Sequence, residues 1–313
     1  MEDAISSSTT EPSSFLMGRV QALLAQQMYY YSHILTDKKR EPSLGMDILD
    51  LYRDRLCQWL YSVVDYYNFD RDIVALTINI IERYCHSSKC FIGSMKPRDL
   101  MVDEKTEDMK PTIQLVTLSS LYIILKVSCP EHIEFDSFLL LGRSQFTKEQ
   151  VVAMETTILD AIEWKISIPT PKVFTCHFLV LFRKVVFPTT TEEEPQPSRK
   201  ILKLIHDIKC TSYFLGELSI CDSYYNEEGI LPSTIAAASV LYALRLSNIP
   251  QSLIYKTQTL IFQAIGMETE CKNELDMCIT RLCDSYSVGN YECKGSSSRE
   301  SSPTHVSEGY FSD

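Results

Sequence analysis

The sequence predicts an all-α protein with two tandem five-helix domains, each arranged around a central apolar helix. Two segments carry this prediction. Residues 111–130 and 231–246 are apolar on nearly every face, and a helix that is apolar all round is buried all round. Both segments have a proline near the start, which fits the first turn of a helix. The third observation is that 10 glycines and few alternating apolar and polar runs argue against a large β-sheet.

Composition indicates a globular protein with reduced thiols. The 313 residues suffice for two domains of ordinary size. A net charge of −11 and a pI near 5.1 disfavour binding to the phosphate backbone of nucleic acids. Eleven cysteines without C-x-x-C pairs indicate the cytosol or nucleus. The start, MEDAISSSTT, predicts no signal peptide, and the segment 111–130 is expected to be too short and too polar to cross a bilayer.

Helix signals follow one another through the first half of the chain. Asp70 suits the N-cap of the second strong helix, and Thr147 to Gln150 form a capping box that opens the last one. The polar residues 86–110 predict a surface connection before the central helix. The predicted helices cover 15–35, 46–67, 70–85, 111–130, 134–141 and 147–164.

The second half repeats this plan. Setting Lys126 against Arg245 aligns Ser120 with Ser239, so an internal repeat is the economical interpretation. The predicted helices cover 171–187, 198–222, 232–246, 250–264 and 268–286.

The predicted domains follow from these helices. Residues 1–43 form an N-terminal extension with a helix, residues 44–168 a first domain, and residues 169–287 a second domain. The Ser/Gly-rich residues 288–313 are expected to be a disordered tail, and the Thr/Glu/Pro segment 188–197 a solvated loop.

Two charges interrupt the apolar pattern. Lys126 lies in the last turn of a helix without a polar face, and Glu155 lies on the apolar stripe of its own helix. Burying a lone charge costs several kcal/mol unless it is paired. Complementing the helix dipole would explain Lys126, and a solvated position at the stripe edge would explain Glu155. The alternative is that both helices meet at an interface where the two charges hold a partner's backbone.

Five short motifs follow one another in order and at consistent spacing. They are Arg53-Asp-Arg-Leu-Cys-Gln-Trp59-Leu60, Asn79-Ile-Ile-Glu82-Arg83-Tyr84, Gln114-Leu115 with Leu125-Lys126, Met154-Glu155, and Phe214-Leu215-Gly216-Glu217-Leu218-Ser219 followed by Leu231-Pro232-Ser233. Together these motifs resemble those of the cyclin family. The resemblance covers residues 46–286, is to cell-cycle cyclins of the A, B and D types, and implies an N-terminal and a C-terminal cyclin box.

The resemblance implies a regulatory subunit of a cyclin-dependent Ser/Thr kinase, not an enzyme, and it implies no cofactor. Cyclins move the αC helix of the kinase inward, so that its Glu pairs with the Lys that holds the ATP phosphates. Carried over, Lys126 and Glu155 bind the backbone that flanks this helix. Trp164 stands where the family often has Phe and packs against the kinase, together with Val127 and Leu159.

The family also implies a structural ion pair and a peptide-docking groove. Arg53 and Glu82 match the ion pair between the first two helices of the box. A cation at Arg55, and Ser62 in place of a Glu, oppose the binding of basic R-x-L peptides, so weak docking is expected. The groove positions are Tyr52, Leu56, Trp59, Ile113 and Gln114.

Other functions are weighed against this one. Cys85, His86 and Cys90 do not match a zinc signature, and no metal is expected. A transcription-type cyclin or a protein of the general transcription factor B type shares the double repeat, but the latter calls for a basic face and usually a zinc ribbon. A cyclin-fold scaffold without a kinase partner is the third alternative.

The resemblance also implies binding partners and a cellular location. Partners are a kinase and substrate or inhibitor peptides, not nucleic acid or a membrane, in the nucleus and cytoplasm. The segment 188–197 and the tail with Ser302-Pro303 are candidates for regulated turnover.

Overall fold

Every regular element in the described part of the chain is helical. The computed structural model describes residues 13–36, 44–87, 89–90, 105–129, 134–143, 145–187, 198–266 and 272–292. These contain α1 (Ser13–Thr36), α2 (Leu44–Tyr66), α3 (Asp72–His86), α4 (Lys105–Ser128), α5 (Phe135–Leu139), α6 (Lys148–Ala161), α7 (Pro171–Val186), α8 (Arg199–Cys221), α9 (Tyr224–Glu227), α10 (Pro232–Leu246), α11 (Gln251–Ile265) and α12 (Lys272–Glu292). A 3₁₀ turn, Leu140–Gly142, follows α5. The all-α prediction is confirmed.

The helices form two separate units, each with its own core. The first unit comprises the described residues from 44 to 168 together with 220–223. The second comprises α1, residues 169–219 and residues from 224 onward. The first unit therefore contains α2 to α6, while the second contains α7 and α9 to α12 with most of α8.

Helix α4 is the centre of the first unit. It packs against α2, α3 and α6, and its apolar side chains, such as Val116, Leu121 and Ile124, are buried. The polar Ser119 and Ser120 are buried as well. The prediction of a helix buried on all sides is confirmed over this stretch, because water is excluded from each face by a different neighbouring helix.

The start of α4 differs from the prediction. The helix begins at Lys105, so Pro111 lies inside it and not in its first turn. A proline inside a helix removes one backbone hydrogen bond. The helix tolerates this loss because Pro111 is near its N-terminal end, while the buried residues that follow Pro111 supply the packing.

Residues 111–128 are apolar enough, by length and composition, to cross a membrane, contrary to the sequence-based expectation. Burial distinguishes this helix from a membrane span, because 61% of the window lies inside the unit. Gln114 and Thr117 are among its buried residues, and the Thr117 hydroxyl donates to the Ile113 carbonyl. The described segment is therefore the core helix of a folded domain.

Side chains close the starts of α3 and α6. The Asp70 Oδ1 accepts the backbone N–H of Asp72, the first residue of α3, at 2.9 Å, but the N-cap position belongs to Arg71 and not to Asp70 as predicted. Before α6, the Thr147 hydroxyl accepts from the Gln150 N–H, and the Gln150 side chain accepts from the Thr147 N–H. This is the predicted capping box.

The second unit is arranged around α10 as the first is around α4. Helix α10 packs against α7, α11 and α12, and its residues Ala236, Val240 and Leu244 are buried. Ser239, which aligns with Ser120, is buried at the corresponding place. The two central helices thus share a buried middle and a basic residue, Lys126 or Arg245, in the last turn.

Helix α1 belongs to the second unit, which the sequence did not indicate. Leu16 and Val20 are buried in its core, and α1 packs on α7 and α11. The buried Gln27 fixes this position: its Oε1 accepts the Ser233 N–H at 2.9 Å, and its Nε2 donates to the Ser233 hydroxyl at 3.0 Å. These bonds satisfy an N–H in the first turn of α10 that the helix leaves without an internal partner.

Two further differences concern the second unit. The short helix α9 was not predicted, and α12 runs to Glu292, so the expected tail does not begin at residue 288. Extending a helix that is already packed avoids the cost of nucleation, which explains the extra turn. Residues 188–197 and 293–313, with their predicted loop, tail and turnover signals, lie outside the described residues.

Candidate functional site

Lys126 and Glu155 meet where α4 and α6 pack together. Lys126 Nζ and Glu155 Oε1 form an ion pair, and the lysine also lies over the Tyr122 ring, 4.6 Å from its centroid. Two turns before Lys126 and one turn before Glu155, the Ser119 hydroxyl donates to the Val151 carbonyl at 3.4 Å and joins the same two helices. The two residues that interrupt the apolar pattern are therefore partners of each other.

The ion pair is open to solvent on one side. The Lys126 side chain is 43% exposed and the Glu155 side chain 13% exposed. A lysine ammonium has three N–H donors and a carboxylate has two oxygens, so the pair leaves donors and one acceptor oxygen for another molecule. Burial, and then the nearby Glu155 carboxylate, raise the pKa of the Tyr122 hydroxyl. Tyr122 therefore stays neutral beneath the pair at physiological pH.

Two exposed valines lie close in sequence to the paired residues. Val127, next to Lys126, is 60% exposed, and Val152, one turn before Glu155 on α6, is 43% exposed. We call Lys126, Val127, Val152 and Glu155 the α4–α6 surface. Val152 was not singled out in the sequence, although its i, i+3 spacing to Glu155 is a usable signal. A surface with both an ion pair and exposed valines suits a partner protein, which offers backbone groups and apolar contacts, better than it suits bulk water.

The other two predicted contact residues differ in exposure. Trp164, in the loop after α6, is 64% exposed, and its Nε1 donates to Asp160 Oδ1 at 3.3 Å. Leu159 is only 5% exposed and belongs to the core of the first unit. A direct contact of Leu159 with a partner does not fit this burial: Leu159 lies on the side of α6 that packs against its own unit.

Arg53 and Glu82 form the predicted ion pair between α2 and α3. Arg53 Nη1 lies 2.8 Å from Glu82 Oε1 and also donates to the Ile220 carbonyl at 3.3 Å, while Nη2 lies 3.1 Å from Asp50 Oδ1. Burial opposes the charge of the guanidinium, but the attraction of Glu82 and its hydrogen bond outweigh this, so the pKa of Arg53 is raised. The arginine thus remains charged in the core.

The five groove positions do not form an open groove. Tyr52, Leu56, Trp59, Ile113 and Gln114 are all buried, and the four apolar ones are part of the core of the first unit. The structure thus places these positions in the core, and weak peptide docking at them stays a prediction. Aromatic and aliphatic side chains gain more by packing into the core than by lining a wet groove. Arg55 is exposed on the same helix, and the Ser62 hydroxyl donates to the Gln58 carbonyl.

Comparisons with known proteins match this arrangement. Residues 26–167, which include nearly all of the first unit, match the family model described as "Cyclin, N-terminal domain". The "G2/mitotic-specific cyclin-2" of Antirrhinum majus is 31% identical over 199 residues, which are 64% of this chain and 36% of that protein. Residues 26–167 therefore belong to the cyclin N-terminal domain family.

Two further relatives extend this similarity. "G2/mitotic-specific cyclin S13-7" of Glycine max is 27% identical over 63% of this chain and 61% of its own length. "Cyclin-A2-1" of Oryza sativa subsp. japonica is 25% identical over 80% of this chain and 46% of its own length. The chain thus spans less than two thirds of the length of each of these cyclins.

The described cysteines are free thiols. Contact with Cys90, and then burial, raise the pKa of Cys85, and burial raises the pKa of Cys278 to about 12. Such thiols are poor nucleophiles and poor metal ligands at neutral pH, because the thiolate is the reactive form. Within the described ranges, no group of three or more His, Cys, Asp or Glu residues stands together to hold a metal ion.

Proposed function

We propose that this cyclin-family chain is the regulatory subunit of a cyclin-dependent Ser/Thr kinase and that it docks through the α4–α6 surface. The observation that carries the proposal is the Lys126–Glu155 ion pair, which is exposed between Val127 and Val152 on the unit that matches the cyclin N-terminal domain. Charges at the centre of an apolar patch suit a partner that offers both apolar side chains and free backbone groups.

The proposed mechanism is repositioning of the kinase αC helix. Lys126 donates to a backbone carbonyl at one end of this helix, and Glu155 accepts a backbone N–H. Charge-assisted bonds of this kind are about twice as strong as neutral ones and call for no particular partner side chain. The valines and Trp164 cover the apolar face of the helix. The inward helix then brings its Glu to the Lys that holds the ATP phosphates.

The ion pair is suited to gain further partners during docking. In the free chain each charge neutralises the other, so neither stands alone at a partly apolar surface. In the complex, the remaining donors of Lys126 and the second oxygen of Glu155 meet the kinase backbone while the pair persists. Pre-formation of the pair lowers the entropic cost of ordering two long side chains on binding.

The relatives' names support a role in cell division. Two are described as G2/mitotic-specific cyclins and one as an A2-type cyclin. On this basis we propose a role in cell-cycle control. We further propose that the chain acts in the nucleus and cytoplasm and has no catalytic activity of its own.

A kinase panel tests the proposal. The purified chain is mixed with individual cyclin-dependent kinases, and complex formation and phosphorylation of a peptide substrate are measured. We expect at least one kinase to bind and to be activated. The Lys126→Ala/Glu155→Ala variant is expected to bind about thirtyfold or more weakly, since truncating paired charges at an interface costs about 2 kcal/mol or more.

A second exposed ion pair of the same unit provides the matched control. Arg71 and Asp65 lie 2.6 Å apart at the surface, and Arg71→Ala/Asp65→Ala is expected to bind and activate like the wild type. An equal loss in both double variants would contradict the assigned surface. If no kinase of the panel is bound by the wild type, the scaffold alternative is favoured instead.

A further inference from the structure

The loop after α6 has an unusual backbone. Glu163 and Trp164 are consecutive, neither is glycine, and both have positive φ angles of 55° and 59°. Among the described residues no other two neighbours share this property. Side chains with a Cβ are disfavoured in the left-handed region, so such a pair persists only where its surroundings fix it.

Arg83 of α3 supplies this fixation. Its Nη2 donates to the Ile162 carbonyl at 2.9 Å and its Nη1 to the Lys165 carbonyl at 2.5 Å. These two carbonyls stand directly before and directly after the left-handed pair. Arginine is suited to the task because its planar guanidinium presents several donors in a rigid fork, whereas lysine offers a single compact head group.

The loop adds its own contacts, among them an ion pair between Lys165 Nζ and Glu163 Oε2 at 2.6 Å. The Trp164 N–H donates to the Leu159 carbonyl at 2.9 Å and the Lys165 N–H to the Ile162 carbonyl at 3.1 Å. The Trp164 ring is mostly in solvent, with one contact from Nε1 to Asp160. An indole held in place on the surface costs little further ordering when a partner covers it, which is the physical value of pre-organisation.

We propose that Arg83 is a positioning residue of the kinase-binding surface: by bridging the carbonyls of Ile162 and Lys165 it holds the left-handed pair and presents Trp164 to the partner. The binding part of this inference rests on the proposed function. The local part, that Arg83 sets the orientation and order of Trp164, is independent of any kinase.

Fluorine NMR tests the local part. The chain has two tryptophans, so labelling with 5-fluorotryptophan gives two resonances, which Trp164→Phe assigns. We expect Arg83→Met to shift and broaden the Trp164 resonance while the resonance of the buried Trp59 stays in place. Arg83→Lys is expected to behave like Arg83→Met, and Arg71→Met, a surface arginine of the same unit, like the wild type.

A double-mutant cycle tests the binding part. Arg83→Met is expected to raise the Kd for the kinase about tenfold in the wild-type background and to have no further effect in the Trp164→Ala background. An unchanged Trp164 resonance in Arg83→Met overturns the proposal. So does an equal loss of affinity in both backgrounds, since Arg83 would then act by another route. If the wild type binds no kinase, the proposed function fails, and the NMR result still decides the local part.

Discussion

Replacing Arg53 by methionine is expected to lower the free energy of unfolding of the first unit by roughly 2 to 4 kcal/mol. The substitution keeps most of the side-chain volume but removes the charge that Glu82 and Asp50 contact. The Glu82 carboxylate, which is largely buried, then lacks its arginine partner, and the Ile220 carbonyl loses a hydrogen-bond donor. Urea unfolding followed by tryptophan fluorescence measures the change, because Trp59 and Trp164 both lie in the first unit.

Arg55 provides the control for this prediction. It lies two residues further along α2 and is exposed, so Arg55→Met is expected to change stability by less than about 0.5 kcal/mol. The double variant Arg53→Met/Glu82→Met is expected to recover part of the loss, since no uncompensated charge remains. Equal stabilities of Arg53→Met and Arg55→Met would show that the buried pair does not hold α2 and α3 together.

Removing the indole of Trp164 is expected to have the largest effect on kinase binding of any single truncation. Trp164→Ala is expected to raise the Kd for the activated kinase about thirtyfold, which corresponds to roughly 2 kcal/mol, because an exposed Trp covered by a partner is typical of the residues that dominate interfaces. Isothermal titration calorimetry measures this Kd. The stability of the free chain should change little, since the side chain is mostly in solvent.

Tyr255 is the matched aromatic for this experiment. It is 69% exposed and lies on α11 in the second unit. Tyr255→Ala removes an aromatic side chain of similar exposure away from the α4–α6 surface and should leave the Kd as it is. A Trp164→Ala chain that binds the kinase as tightly as the wild type would remove Trp164 from the interface.

The parts of the fold that follow from periodicity could be predicted from the sequence. The central helices and the capping box at Thr147 depend on local spacing. The Arg53–Glu82 pair is implied by the family resemblance and not by spacing, since Asp50 is a second partner of Arg53. The meeting of Lys126 and Glu155 could be predicted only as a shared interface. The ion pair between Lys126 and Glu155 depends on how α4 and α6 pack against each other, and local sequence patterns do not predict that packing.

Other features depend on contacts between residues far apart in sequence. The packing of α1 in the second unit is fixed by Gln27 and Ser233, which are separated by 206 positions. The burial of Trp59 and its neighbours depends on what packs over α2, so a family motif alone placed them in a groove. The left-handed backbone at Trp164 depends on Arg83 from another helix. Neither Glu163 nor Trp164 is a glycine, so the sequence does not predict this backbone.

Hydrogen–deuterium exchange of the chain, alone and bound to a kinase that it activates, tests the α4–α6 surface most directly. We expect binding to slow exchange in peptides that cover the end of α4, residues 122–129, and α6 with its following loop, residues 148–165. The end of α10 around Arg245, the equivalent position in the second unit, should exchange at the same rate in both states. Protection that spares the ends of α4 and α6, or that is confined to the second unit, would contradict the account.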